Sequence, residues 1–125
     1  MIYHKNVLVA AALLGFCAVA FGAFGAHYLK TILSPEQLQW WEKGVQYQFY
    51  HLAPILFLAF WQAPQAKSIA FFFLLGCICF SGSLYLMALT NMRFLGAVTP
   101  VGGLFFLIGW ARIVYEFLKK NAKNV

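Results

Sequence analysis

Apolar and polar positions alternate in long blocks along the chain. The first apolar block, Val7 to Ala26, is uncharged over the roughly 20 residues a helix needs to cross about 30 Å of hydrocarbon. The second covers 44–61, and Pro64 stands just beyond it. Trp41 and Trp61 then lie about 30 Å apart at 1.5 Å per residue, which puts two amphipathic rings where membrane interfaces favour them. A third block, 69–89, is uncharged throughout. The fourth, 95–115, follows Arg93 and carries Arg112 close enough to its far end for the guanidinium to reach the headgroups. An even number of crossings places both termini on one side.

The links between blocks differ. Gln62 to Ser68 and Thr90 to Arg93 are short and polar, so the helices they join are antiparallel neighbours. The stretch from His27 to Lys43 is longer and carries a helix start: Ser34 as N-cap, Pro35 at the first helical position and Gln37 at the capping-box position. The pattern predicts an interfacial helix over 35–43 that leads through Trp40 and Trp41 into the second span. The predicted fold is all-α, an integral membrane four-helix bundle forming a single transmembrane domain over 1–125. A cleaved secretory signal is the competing reading of the first block, with Lys5 as basic flank and Ala20-Phe21-Gly22 as cleavage site. The apolar run is longer than the usual signal core of about 7–15 residues, so the block is read as a retained helix.

Composition agrees. The chain is 63% hydrophobic and 10% charged, against about 45–50% and 25% in soluble domains. A net charge of +6 raises the question of nucleic acid, but the Lys and Arg residues sit between apolar runs instead of clustering on one face with stacking residues. No nucleic-acid partner is expected; the lipid bilayer is. Lys5, Lys67, Arg112, Lys119, Lys120 and Lys123 fall on the terminal side, and Lys30, Lys43 and Arg93 on the other. The richer side faces the cytoplasm by the positive-inside rule, which predicts a multi-pass inner-membrane protein with both termini cytoplasmic. Cys17, Cys77 and Cys79 lie inside apolar runs. Cys77 and Cys79 point about 200° apart on a helix and cannot share a metal, so all three read as small buried hydrophobes.

Two constellations stand out within the spans. On helix one Ala11, Gly15, Ala18, Gly22 and Ala26 recur at three- and four-residue steps, a smooth stripe on which another helix can approach closely, inside the bundle or across a homo-oligomer seam. On helix two, projection at 100° per residue places Gln46, Tyr47, Gln48, Tyr50 and His51 in one half-circle, opposite Val45, Phe49, Leu52, Ala53 and Leu56. Polar side chains in hydrocarbon need partners, so this half is expected to face inward. Pro54 lacks the N–H that would bond the carbonyl of Tyr50, which predicts a kink or a free acceptor beside His51. Helix three offers Ser81, Ser83 and Tyr85, and helix four offers Thr99 beside Pro100. Tyr47, Gln48, His51, Ser81, Ser83, Tyr85 and Thr99 thus form a candidate polar seam, either an interhelical hydrogen-bond network or the lining of a small site.

The acidic residues are Glu36, Glu42 and Glu116, all outside or at the rim of the spans. A proton-coupled exporter of cations normally carries an intramembrane carboxylate, and no hydrolase triad, phosphate loop or zinc motif occurs. No enzymatic activity, catalytic residue, metal site or cofactor is expected. His27 and His51 are the one pair that could ligate haem or a metal, at depths that do not match.

The segments Gly22-Ala23-Phe24-Gly25-Ala26-His27, Tyr47-Gln48-Phe49-Tyr50-His51, Phe80-Ser81-Gly82-Ser83-Leu84-Tyr85 and Thr99-Pro100-Val101-Gly102-Gly103, with Gly109-Trp110, resemble the small membrane-protein family called "domain of unknown function 423", related to transmembrane protein 256. The resemblance implies a bacterial inner-membrane protein of four helices and carries over no catalytic or binding residue. Three readings follow: a bundle that binds or passes a small molecule, ion or lipid through the seam; a structural or assembly subunit; and a redox protein built on His27 and His51.

Overall fold

The computed structural model describes residues 2–123, with side chains up to 119, and the chain in it is an all-α integral membrane bundle of four helices. Helix α1 runs Lys5–Ile32. Helix α2 has two parts, Pro35–Tyr50 and Leu52–Phe60. Helix α3 runs Ala66–Thr90, and α4, Thr99–Lys123, follows a 3₁₀ turn at Arg93–Ala97. Of these, α1, α3 and the stretch Arg93–Lys119 are long and apolar enough to cross a membrane by length and composition. Helix α2 is divided, as Pro54 predicts: His51 sits at φ −98°, ψ 2°, between two helical segments.

Two boundaries move. Helix α1 continues six residues past Ala26, because the end of an apolar run does not end a helix. The stop comes where Leu33 and Ser34 turn extended, as the residue ahead of a proline must. The capping box forms as read: the Ser34 hydroxyl accepts from Gln37 N–H at 3.2 Å, and the Gln37 carboxamide oxygen accepts from Ser34 N–H at 3.1 Å. From this start the chain is helical without interruption to Tyr50, so residues 35–43 are the first turns of α2 and not a separate element. Ser34→Ala should cost about 1 kcal/mol, measured as a lowered midpoint of reversible unfolding in bicelles.

Helix α3 is the central element. Of its most apolar stretch 44% is buried against the rest of the chain, compared with 17% for α1 and for α4. Its start lies against the end of α2 in a cluster of Ile55, Leu58, Ile69, Ala70, Phe73 and Phe106. Both rims are fastened. At the terminal rim His4 meets the Ala63 carbonyl at 3.1 Å, Gln65 donates to Glu116 at 2.8 Å, and Arg112 donates to Ser68 at 2.6 Å, so the start of α1 and the later turns of α4 lie at the α2–α3 turn. At the opposite rim Arg93 grips Glu36 through two bonds of 2.8 Å and lies over the ring of Trp40. The guanidinium bonded to it holds the Glu36 carboxyl below its ordinary 4.5. A lowered carboxylate stabilises the fold above its unfolded value and loses that contribution as pH falls through the folded value. Acid unfolding of Arg93→Gln should therefore lack a small step below pH 4.5 that the native chain shows. Both groups are exposed, so salt should shrink the step.

Candidate functional site

The seam residues meet as a chain of hydrogen bonds that visits all four helices. Gln48 is buried on α2 and reaches both neighbours: its amide N–H donates to the Leu14 carbonyl of α1 at 2.8 Å, and its oxygen accepts from the Tyr85 hydroxyl of α3 at 2.7 Å. Ser81 donates to the Gly44 carbonyl at 2.6 Å, which joins α3 to α2. The Ser83 hydroxyl donates to the Phe80 carbonyl at 3.0 Å and lies 2.6 Å from Thr99 Oγ1. With its one hydrogen on Phe80, Ser83 accepts from Thr99, joining α3 to α4.

His51 completes the set at the division of α2. Nδ1 lies 2.7 Å from the Tyr47 carbonyl, and Nε2 is 3.1 Å from the indole N–H of Trp110 on α4. A carbonyl only accepts and an indole N–H only donates, so the proton is on Nδ1 and the lone pair on Nε2. This is the bonding pattern of neutral imidazole. The ring stacks on Phe106 at 3.6 Å between centroids with 3° between planes, and Phe73 stands 5.7 Å away. Tyr47 is half-buried beside it, stacked on Phe80 at 4.3 Å.

Several expectations change here. Gln46 and Tyr50 are exposed on the outer face of α2 and do not join the seam. Helix α2 is wedged between its neighbours, so part of the half-circle read as polar faces outward, while Val45, on the apolar half, is buried against α1. Most of the small-residue stripe is used inside the bundle: Ala11 and Ala18 are buried, and a methyl on Gly15 or Gly22 would touch Leu52 or Val45 of α2. Ala26 alone of the stripe is exposed, and Gly25 takes its place at the contact. There the Trp41 ring lies where a Cβ would sit, 2.6 Å from Cδ1, and its indole donates to the Phe21 carbonyl at 2.8 Å. Trp41 is thus a core residue and not an interfacial one, and the π turn at Gly25–Leu29 adjoins the carbonyl it takes. Pro100 falls in the first turn of α4, where a missing N–H costs nothing, so it opens no backbone in mid-membrane.

The histidine pair has no support as a metal or haem site. His27 is exposed, both nitrogens of His51 are engaged, and among the described residues no three His, Cys, Asp or Glu side chains are grouped to hold a metal. Sequence reasoning left Trp110 and Phe106 without a role, although their spacing of four residues puts both on one face of α4. It also missed His4, buried with Nδ1 unpartnered.

Comparison with known proteins agrees with this architecture. The family described as "Protein of unknown function (DUF423)" matches residues 21–103. The UPF0382 inner membrane protein YgdD of Escherichia coli (strain K12) is 42% identical, with 97% of this chain and 95% of that protein aligned. The UPF0382 membrane protein SH2409 of Staphylococcus haemolyticus is 38% identical over 92% of this chain and 97% of its own length. No solved structure matches significantly. A polar seam between four membrane helices, relatives aligned over more than nine-tenths of the chain, and a family match that spans Tyr47 to Thr99 lead to one conclusion: the chain belongs to the DUF423 family of membrane proteins, whose biochemical activity is unknown.

Proposed function

We propose that this protein is a structural or assembly subunit of a membrane complex, a bundle tied internally by its polar seam and working through its outer surface. One observation carries the reading: Gln48, His51, Ser81, Ser83, Tyr85 and Thr99 bond to groups of the same chain. A carrier needs donors and acceptors turned toward a passing solute; these are turned toward each other, the usual way polar side chains hold membrane helices together. Tagged protein extracted from its own membranes in a mild detergent should migrate as a species larger than one chain. A monomer accompanied by nothing overturns the reading.

Its place is the inner membrane, as the name of the Escherichia coli relative suggests, with both termini cytoplasmic. The terminal rim carries Lys5, Lys67, Arg112 and Lys119 against Lys30, Lys43 and Arg93 at the other, and the excess agrees with the positive-inside rule. Lys120 and Lys123, which enlarge the excess, lie outside the described side chains. A reporter active only in the cytoplasm should work when fused to the C-terminus, and silence there reverses the orientation.

A further inference from the structure

Gln39, Glu42, Lys43, Gln46 and Tyr50 are all exposed on the outer face of α2. They have the spacing of one helical stripe, and the first four line a recess of about 250 Å³. Counting from Trp61 at the terminal rim, Gln46 lies about 22 Å along a helix, inside the roughly 30 Å of hydrocarbon. Glu42 and Lys43 stand near the far edge. An exposed carboxamide facing acyl chains is costly and normally finds a partner. Among the described residues the one salt bridge is Arg93–Glu36, so neither Glu42 nor Lys43 has an ion-pair partner among them.

The arrangement around the helix names the partner. At 100° per residue Gln46, Gln39 and Tyr50 fall about 40°, 60° and 80° beyond Glu42, and Lys43 falls at about 100°. The uncharged polar groups therefore occupy the middle of the stripe, with an acid on one flank and a base on the other. Copies inserted in one orientation can be related by a two-fold axis only along the membrane normal, so residues of equal depth meet. Two such stripes brought together set carboxamide against carboxamide in the middle. Each Glu42 then faces the Lys43 of the other copy, as flanking charges do in a parallel coiled coil. Beside the Glu42 flank a second recess of about 270 Å³ is floored by Gly22, Gly25, Ala26 and Val45.

We infer that this face of α2 is a self-complementary interface, and that its occupant is a second copy of the same chain. The inference rests on the subunit reading and gives it a first partner. The test is a charge exchange in native membranes, with two tags on separately expressed copies. Wild-type copies should co-purify. Glu42→Lys alone and Lys43→Glu alone should each lower self-association on the order of tenfold, because each places like charges opposite one another. Glu42→Lys co-expressed with Lys43→Glu should restore association, since both cross pairs are again opposite in sign; that rescue also shows that both variants fold. Equal association of wild type and single variants overturns the interface. A benzophenone side chain installed at Gln46 separates the occupants. An adduct of twice the chain's mass supports the proposal. An adduct with a different protein, or adducts with lipid alone, overturn it and leave the subunit reading to its own test.

Discussion

Gly102→Ala should destabilise the bundle by about 3 kcal/mol or more, while Gly103→Ala, one residue away, should change stability by no more than about 1 kcal/mol. A Cβ built on Gly102 collides with the backbone nitrogen and Cα of Phe80 in the π turn Cys77–Ser81 of α3, whereas one on Gly103 meets nothing within 4 Å. A side chain can rotate away from an intruding methyl; a backbone held by its own helical bonds moves only with the whole helix. The collision would pry α4 from α3 and stretch the Ser83–Thr99 bond beside it. Gly103 loses only the flexibility of glycine. Reversible unfolding of both variants in bicelles decides the matter, and equal effects would show that α3 and α4 do not approach as described.

The second large effect is expected at His51. Replacement by Leu keeps the bulk but leaves the Tyr47 carbonyl and Trp110 N–H without their partner and ends the stacking on Phe106. An interhelical hydrogen bond in a membrane is worth about 0.6 kcal/mol on average and up to about 1.7, and an aromatic stack about 0.5–1.5. Together these give a loss of about 2–4 kcal/mol. Much of it should vanish when His51→Leu is measured in a Trp110→Phe background, because the bond between them is then already absent. Strictly additive effects would remove Trp110 from the seam. Nitrogen chemical shifts of the imidazole give an independent check: Nδ1 should carry the proton and Nε2 should not.

Much of this was legible in the residues. The three helices long and apolar enough to cross a membrane followed from long apolar runs, and the start of α2 from Ser34, Pro35 and Gln37, because caps act through the nearest few backbone groups and leave a local signature. The division of α2 followed from Pro54 for the same reason. Other features depend on what lies across a helix interface. Helix α1 passes Ala26 because nothing local stops it before Pro35. Trp41 looks interfacial from its place beside a polar link, yet Gly25 on α1 opens a slot for its ring. Gln46 and Gln48 are two residues apart and equally polar, but one is exposed and the other buried, since hydropathy marks a polar face and not which neighbour covers it.

By itself, then, the sequence determined the solvent this protein folds in, its all-helical four-helix make-up, the helix start at Ser34 and the chemical types available to a seam. Each of these is carried by residues near one another along the chain. The tertiary structure alone decided which polar groups pair, that Trp110 meets His51 across an interval of 59 residues, that the small-residue stripe is spent within the bundle, and that the outward polar stripe lies on α2. Those outcomes come from helices choosing neighbours and rotations that bury shape-matched surface while pairing polar groups turned inward, a condition set by the four helices together.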